Sequence, residues 1–278
     1  MVTAGTHHRS MGTGFRSPSK VARRLRLTPL AARKVKTWPR FMFNYALGVV
    51  PATPYAFRND ARLLIGRGVD HVPIIEIFLR EEYGTVEGGA VIIDVGANIG
   101  AFSVYAAMSA RNVKVFAYEP MPEFYRLMQE NIRMNRLEQA VQCFNLAVGA
   151  DVGMRELLLE SRTFSFPTFQ RADADRDTRT LSVQCVSLAE ILDSHGLARV
   201  DLLKMDCEGA EYEILYNTPD RYLDRIREIR MEYHNLPAER CSGEALGTFL
   251  RSRGYDVTMA RATSAAATGG NLWARKHD

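Results

Sequence analysis

The stretch VIIDVGANIGAFS, at residues 91–103, constrains the fold of this chain more than any other. It begins with apolar β-branched residues, which are typical of a parallel strand covered on both faces. Asp94 then places a carboxylate at the carboxyl end of that strand, the edge at which open α/β sheets bind ligands. Gly96 and Gly100 permit a tight turn into a helix, because glycine has no Cβ to obstruct a ligand or a neighbouring strand. The stretch predicts a doubly wound α/β fold with a nucleotide-like ligand at this turn.

The spacing of the glycines narrows the choice of ligand. A dinucleotide-binding turn reads G-x-G-x-x-G, and here Asn98 occupies the position of the middle glycine, which argues against a nicotinamide oxidoreductase. A second strand is predicted over residues 113–118, and Glu119 directly after it can accept hydrogen bonds from both hydroxyls of a ribose. A ribose acceptor beside a turn without a pyrophosphate site favours S-adenosylmethionine, whose cationic end Asp94 would attract. The alternative is an ordinary strand-to-helix turn without a ligand.

Charge divides the chain into two parts. Residues 1–59 contain eleven Lys or Arg and no Asp or Glu, whereas the remainder contains 25 basic and 32 acidic residues. We predict a basic extension over residues 1–54 and a single acidic domain over residues 55–278. Residues 1–20 have the composition of a disordered segment.

The second half of the extension combines basic residues with a run of aromatic and apolar ones, namely Trp38, Phe41, Met42, Phe43 and Tyr45. Such a segment can hold a helix at an anionic membrane surface. The favoured alternative is a helix that packs these side chains on the main domain. The absence of acids also resembles an organelle transit peptide, although the segment looks structural. Because the domain is acidic and shows no recognition motif, we expect no nucleic-acid partner.

The cysteines and the hydropathy bear on the compartment. The four cysteines form no C-x-x-C pair and have no metal spacing with histidine, which is typical of a reducing compartment. No apolar run approaches the roughly 20 residues that span a bilayer. We expect a cytoplasmic protein. Its basic extension could also bind peripherally to the inner face of the membrane. The sequence gives no indication of the oligomeric state.

A helix is predicted over residues 72–83, just before the first core strand. Glu76 and Tyr83 would lie on one face of it, two turns apart, and both could approach the cofactor. A purely structural role for this pair is an equally good interpretation.

Strands and helices continue to alternate after Glu119. Pro120 ends the second strand, and the segment around Ala147, after the third strand, is predicted to be a loop over the adenine. Residues 151–187 depart from the alternation, with two strands expected around a polar loop at residues 171–179.

A second group of charged residues follows the fourth and fifth predicted strands. Asp206 lies at the carboxyl end of the fourth strand, and a carboxylate at the end of a buried strand favours a functional role. Glu208 and Glu211 are predicted to open the next helix, where the helix dipole alone would stabilise both. The fifth strand, at residues 226–233, brings Glu232 and His234 to the same edge of the sheet.

These motifs, in this order, resemble the FkbM-type family of S-adenosylmethionine-dependent methyltransferases. The resemblance covers about residues 55–276 and rests on DVGANIGAFS, AYEP, NLAVG and especially KMDCEGAEYEIL. It implies a mostly parallel seven-stranded sheet of the Rossmann-like, class I methyltransferase type, with an antiparallel strand inserted near its end. It also implies O-methylation of a hydroxyl on a sugar, glycolipid or secondary metabolite. The acceptor itself is not readable, since specificity resides in loops such as residues 161–180.

The resemblance also implies site residues. It assigns to the cofactor the residues Asp94, Gly96, Asn98, Gly100 and Glu119, to which we add the adjacent Ala97 and Pro120 and the more distant Glu76 and Ala147. It assigns the active-site acids to Asp206 and Glu208.

Methyl transfer to a hydroxyl requires a general base, because an alcohol is a poor nucleophile until it loses its proton. Asp206, Glu208 and His234 are the candidates, and the sequence does not choose between them. A divalent metal on Asp206, Glu208 and Glu232 is an alternative that we do not favour. Two other functions stay open: methylation of nitrogen, although the Asn/Asp-Pro-Pro-aromatic signature is missing, and nucleoside binding without catalysis, which would not need Asp206 and Glu208.

Overall fold

The structure is a computed structural model, and it describes residues 25–66, 69, 71–159, 179–261 and 269–276. The predicted disorder of residues 1–20 and the predicted polar loop before Arg179 lie outside these ranges.

The strands, in chain order, are β1 (Tyr55–Ala56), β2 (Arg62–Leu63), β3 (Val91–Val95), β4 (Lys114–Tyr118), β5 (Val141–Phe144), β6 (Ala147–Gly149), β7 (Gly153–Leu159), β8 (Arg179–Ser187), β9 (Leu202–Met205), β10 (Glu228–His234), β11 (Tyr255–Arg261) and β12 (Gly269–Lys276). The helices are α1 (Thr28–Lys34), α2 (Trp38–Leu47), α3 (Ala101–Ser109), α4 (Pro122–Met134), α5 (Leu188–Ser194), α6 (Glu211–Asn217), α7 (Asp220–Leu223) and α8 (Gly243–Arg251), with a π-helix at Ile74–Leu79.

Seven of these strands form one sheet in the order β11-β12-β10-β9-β3-β4-β5. Strands β10, β9, β3, β4 and β5 run parallel, and β12 is antiparallel to both of its neighbours. Two apolar clusters cover the two faces of the sheet, with Ile92 and Val115 in one and Ile93 and Phe116 in the other. The predicted doubly wound, seven-stranded sheet with an inserted antiparallel strand is confirmed.

The prediction of a loop around Ala147 is wrong. Residues Ala147–Gly149 form β6, which pairs in parallel with β8 in a second sheet of order β6-β8-β7. A strand this short has no readable alternation, and Ala147 lies opposite Cys185, far along the chain. Only the long-range pairing therefore makes it a strand. The two strands predicted within residues 151–187 are present as the antiparallel pair β7 and β8.

The helix predicted over residues 72–83 is shorter than expected. Its regular part is the π-helix, and the Arg80 N–H donates to the Ile75 carbonyl oxygen to close it. Glu81 then adopts a left-handed conformation with φ of 54°, which no helix tolerates. Glu76 and Tyr83 consequently do not share a helical face.

The helices of the extension pack on the main domain. Phe41 is completely buried in the same apolar cluster as Ile92, and its ring lies 5.4 Å from that of Tyr55. The Asn44 amide and His71 Nε2 both contact the Tyr55 hydroxyl, at 3.0 and 2.9 Å. Phe43, in contrast, is 63% exposed. Within the described part of the chain, no helix has the length and apolar character needed to cross a membrane.

Candidate active site

The turn after β3, which we call the glycine turn (residues 96–100), depends on the absence of a side chain at Gly96. Its φ is +71°, and a Cβ there would lie 1.9 Å from the Asp206 carbonyl oxygen. The N–H groups of Gly96 and Ala97 both donate to the Tyr118 carbonyl oxygen, at 3.1 and 3.0 Å. The turn therefore packs directly on the ends of β9 and β4.

Gly100 and Asn98 complete the turn. Gly100 has φ of +76°, and a Cβ there would lie 2.8 Å from Cγ of Met128 on α4. Asn98 is also left-handed, with φ of 52°, and its N–H donates to Oε2 of Glu119 at 2.8 Å. The buried Oδ1 of Asn98 has no hydrogen-bond partner among the described residues. A buried acceptor without a donor is expensive, so a ligand donor at this point would stabilise the turn.

Glu119 lies in the wall of the pocket beside the glycine turn and is 5% exposed. Besides the bond from Asn98, its Oε1 accepts a hydrogen bond from the Met121 N–H at 2.8 Å. Burial raises the pKa of the Glu119 carboxyl to about 7, although these two backbone hydrogen bonds act to lower it. The carboxyl is thus held in one orientation while its charge is only partly compensated.

Asp94 does not line the pocket. It is completely buried, accepts a 2.7 Å hydrogen bond from the Ser103 hydroxyl, and has Oδ1 3.2 Å from Nζ of Lys204. The same ammonium donates to the Gly96 carbonyl oxygen at 3.0 Å. Burial acts to lower the pKa of Lys204, but the carboxylates of Asp94 and Asp206 outweigh it and raise that pKa. Lys204 was missed from the sequence, although a lysine inside the buried strand β9 is an anomaly that could have indicated it.

The pocket itself is an open cleft, whose empty volume including its mouth is about 460 Å³. Among the residues predicted for the site, its lining includes Gly96, Glu119, Pro120, Ala147, Asp206 and Glu208. The sequence did not single out Val95, Tyr118, Val148, Leu157, Cys207 and Ala210, which also line it. Ala97, Asn98 and Gly100 shape the turn without lining the cleft, and Glu76 and His234 lie outside the lining.

Tyr83 lies beside Asp206, one of the residues that line the cleft. Its buried hydroxyl donates to the Asp206 side chain, and burial, together with the charges of Asp206, Glu232 and Glu76, holds its pKa well above the usual range. The Lys204 ammonium lies 5.3 Å from the centre of the Tyr83 ring. Glu76 lies within the π-helix, close enough to Tyr83 for its charge to act on that hydroxyl, whereas Tyr83 lies in the turn that follows the helix.

Asp206 belongs to a group of charged side chains that we call the acidic cluster. Its members are Asp206, Glu208, Glu211, Glu232 and His234. The His234 ring is held between two carboxylates, with Nε2 3.3 Å from Glu208 and Nδ1 3.2 Å from Glu211. Burial acts to lower the pKa of His234, but Glu211 and Glu208 outweigh it and raise that pKa to about 10. In this arrangement the imidazole is protonated at neutral pH, so it is a poor candidate for the general base.

The prediction that Glu208 opens a helix is wrong. Glu208 has φ of 53°, and α6 begins three residues later at Glu211. Glu211 is completely buried, and its Oε1 also accepts a 3.2 Å hydrogen bond from the Cys207 N–H. Burial, above all, raises the pKa of the Glu208 carboxyl to about 7, and the nearby His234 counteracts it.

Three side chains of the acidic cluster have metal-binding geometry. One potential ligand atom each from Asp206, Glu232 and His234 lies within 4.8 Å of the others. The register explains this, because Met205 pairs with Met231, so that Asp206 follows β9 level with Glu232 on β10. His234 is two residues further on the same face of β10.

Comparison with known proteins bears on the same residues. Residues 94–257 match the family model described as methyltransferase FkbM domain. The chain is 27% identical to methyltransferase sdnD of Sordaria araneosa, over 73% of this chain and 88% of the relative. It is 28% identical to 31-O-demethyl-FK506 methyltransferase FkbM of Streptomyces tacrolimicus, over 61% and 74% of the two chains. It is 26% identical to hexuronic acid methyltransferase AglP of Haloferax volcanii, over 58% and 61%. The matched family segment contains both the glycine turn and the acidic cluster.

Proposed function

This chain belongs to the FkbM methyltransferase family, and from that premise we propose that it is an S-adenosylmethionine-dependent O-methyltransferase acting on a hydroxyl of a sugar, glycolipid or secondary metabolite. One observation carries the proposal. A single cleft is lined by Gly96 and Glu119 together with the carboxylates of Asp206 and Glu208. A nucleoside site and a group of proton acceptors thus share one space.

The residues present fit S-adenosylmethionine. The backbone at Gly96 leaves no room for a Cβ, Asn98 has a buried acceptor without a protein donor in the described residues, and Glu119 presents a fixed carboxyl. Glu119 would accept from the ribose, and the turn would hold the amino-acid end. When bound, the cofactor supplies an electrophilic methyl group on its sulfonium.

The chain's own contribution is alignment and proton removal. The cleft would hold the acceptor hydroxyl between the glycine turn and the acidic cluster, aligned with the methyl group. Asp206 and Glu208 line that space, and either carboxylate can take the hydroxyl proton as the oxygen attacks. Tyr83 holds the Asp206 side chain in place through its hydroxyl.

The acceptor class is supported by charge and by the relatives. Carboxylates accept hydrogen bonds from hydroxyls, whereas the phosphates of a nucleic acid would be repelled by the acidic cluster. The names of two relatives refer to an O-demethylated compound and to a hexuronic acid. We favour a hydroxyl of this kind over a nitrogen acceptor.

The proposal can be tested by isotope transfer. S-adenosylmethionine carrying a deuterated methyl group is incubated with the protein and a host extract of glycolipids and metabolites, and mass spectrometry identifies products with the added mass on oxygen. The Asp206→Asn, Glu208→Gln double variant serves as the control and should give no labelled product. Calorimetry measures which cofactor binds. Binding of NAD but not of S-adenosylmethionine would contradict the proposal.

We also propose a cytoplasmic location with peripheral contact of α2 at the inner face of the membrane. Four free cysteines are consistent with a reducing compartment. Phe43 and Leu47 are exposed and lie four residues apart on α2, in a segment that contains basic but no acidic residues. An apolar ridge of this kind is suited to an anionic bilayer.

A further inference from the structure

We propose that Asp206, Glu232 and His234 form a binding site for a divalent transition-metal ion of the Mn²⁺ type, next to the cofactor cleft. Their potential ligand atoms lie within 4.8 Å of one another. Ligands of divalent cations lie about 2.0 to 2.6 Å from the metal, so that two ligands of one ion are up to about 5 Å apart. The three side chains are therefore close enough to share one ion.

A second observation in favour of the site is the carboxylate that holds the other nitrogen of the His234 ring. Glu211 is completely buried, and its Oε1 lies 3.2 Å from Nδ1 of His234. A histidine that binds metal through one ring nitrogen commonly donates from the other to a carboxylate, which fixes the ring. Glu211 holds Nδ1 in this way, so Nε2 is the nitrogen that a metal would take. That atom now lies 3.3 Å from Glu208, and a metal binding there would displace the proton from Nε2 and release the Glu208 carboxylate.

The charge of the site also favours a cation. Asp206, Glu208 and Glu211 all act on the ring of His234, and Glu82 adds its charge near Glu232. The ammonium of Lys204 is near Asp206, but it forms its ion pair with Asp94, at 3.2 Å. Carboxylates this close repel one another at low dielectric, and a divalent ion would relieve the repulsion.

The ligand set indicates the metal and its role. Two carboxylates and one imidazole suit Mn²⁺, Fe²⁺, Co²⁺ or Zn²⁺ better than Mg²⁺ or Ca²⁺, which prefer oxygen alone. Three protein ligands leave coordination positions open. Resting on the proposed function, an acceptor hydroxyl bound there would be acidified by the metal, and Glu208, released from His234, would take its proton.

The test is Mn²⁺ binding to the full chain, measured by the loss of the free-ion signal in electron paramagnetic resonance. We expect one bound ion per chain and weakening of at least roughly tenfold in Glu232→Gln. Spin-echo modulation from ¹⁴N should be present in the wild type and absent from His234→Asn. Glu82→Gln is the matched control, because it removes the same charge near Glu232 without removing a ligand, and it should weaken binding less than roughly threefold.

Several results would overturn the inference. They are the absence of bound Mn²⁺ at millimolar concentration, equal weakening by Glu82→Gln and Glu232→Gln, or ¹⁴N modulation that survives in His234→Asn. Thermal unfolding checks each variant, and Glu232→Asp, which keeps the charge, replaces Glu232→Gln if the latter does not fold. Since the readout is metal binding, failure here leaves the methyl-transfer proposal intact, and failure of methyl transfer leaves this result intact.

Discussion

The glycine turn and the acidic cluster both contribute to one cleft, Gly96 from the turn and Asp206 and Glu208 from the cluster, but they are stabilised by different means. The turn is made largely of backbone, since Gly96 and Ala97 donate to Tyr118 and Asn98 donates to Glu119. The acidic cluster is made of side chains, with one imidazole between two carboxylates and a third carboxylate bonded to Tyr83. A site made of backbone tolerates almost no change of shape. In a site made of side chains, each change of charge alters the activity by a limited amount. We therefore expect substitutions in the turn to abolish binding and those in the cluster to alter rates.

The sharpest test of the backbone half is Gly96→Ala. Its Cβ would lie 1.9 Å from the Asp206 carbonyl oxygen, so β9 or the turn must move. We expect a loss of about 3 kcal/mol or more in the free energy of unfolding and no measurable S-adenosylmethionine binding. Gly89→Ala is the control, because Gly89 also has a positive φ, +79°, but has no neighbour within 4 Å. It should cost about 1 to 2 kcal/mol, and equal effects of the two variants would show that the clash is unimportant.

Glu119→Gln tests the one side chain on which the turn depends. Replacing a charged acceptor by an amide should weaken S-adenosylmethionine binding about 10- to 100-fold, as measured by calorimetry. An unchanged affinity would remove Glu119 from the ribose site.

The same carboxyl should make cofactor binding depend on pH. With its pKa at about 7, Glu119 is protonated below pH 7 in the free protein and ionised above it. Because the ribose hydroxyls bind better to the ionised form, affinity should fall as the pH drops below 7 and level off above it. The slope should vanish in Glu119→Gln, and a slope that persists there would point to another group.

Tyr83→Phe tests the side-chain half with a smaller expected effect. Loss of the hydroxyl that holds Asp206 should lower kcat roughly fivefold to tenfold and leave the KM for S-adenosylmethionine unchanged. Tyr105→Phe is the matched control, since that buried hydroxyl donates to Glu81, away from the cluster. If both variants lowered kcat equally, the effect would be structural rather than one of positioning.

The smallest effect on the site is expected from α2, outside both halves. The double variant Phe43→Ser, Leu47→Ser should reduce sedimentation with anionic liposomes and change the free energy of unfolding by only about 0.5 kcal/mol. Phe41→Ser, on the buried face of the same helix, should instead lower the free energy of unfolding by about 3 to 5 kcal/mol. These substitutions are cleaner than deleting residues 1–50, which would uncover the core. Unchanged sedimentation of the double variant would contradict membrane contact through α2.

Local chemistry determined what the sequence could predict. Gly96, Asn98, Gly100 and Glu119 follow buried strands, and strand ends meet at one edge of a parallel sheet, so their placement needed no knowledge of distant contacts. The seven-stranded sheet follows from the same alternation, supported by the family resemblance. Residue type and order were sufficient here because backbone conformation and strand burial are readable from neighbouring residues.

Tertiary structure alone decided the rest. Lys204 forms an ion pair with Asp94 on the neighbouring strand. Ala147 becomes part of a strand because it pairs with Cys185. His234 is a candidate base in the sequence but a protonated side chain between Glu208 and Glu211 in the folded protein. The protonation of an imidazole and the pairing of a short strand depend on which groups the fold brings within a few ångströms, and sequence spacing carries no record of those distances.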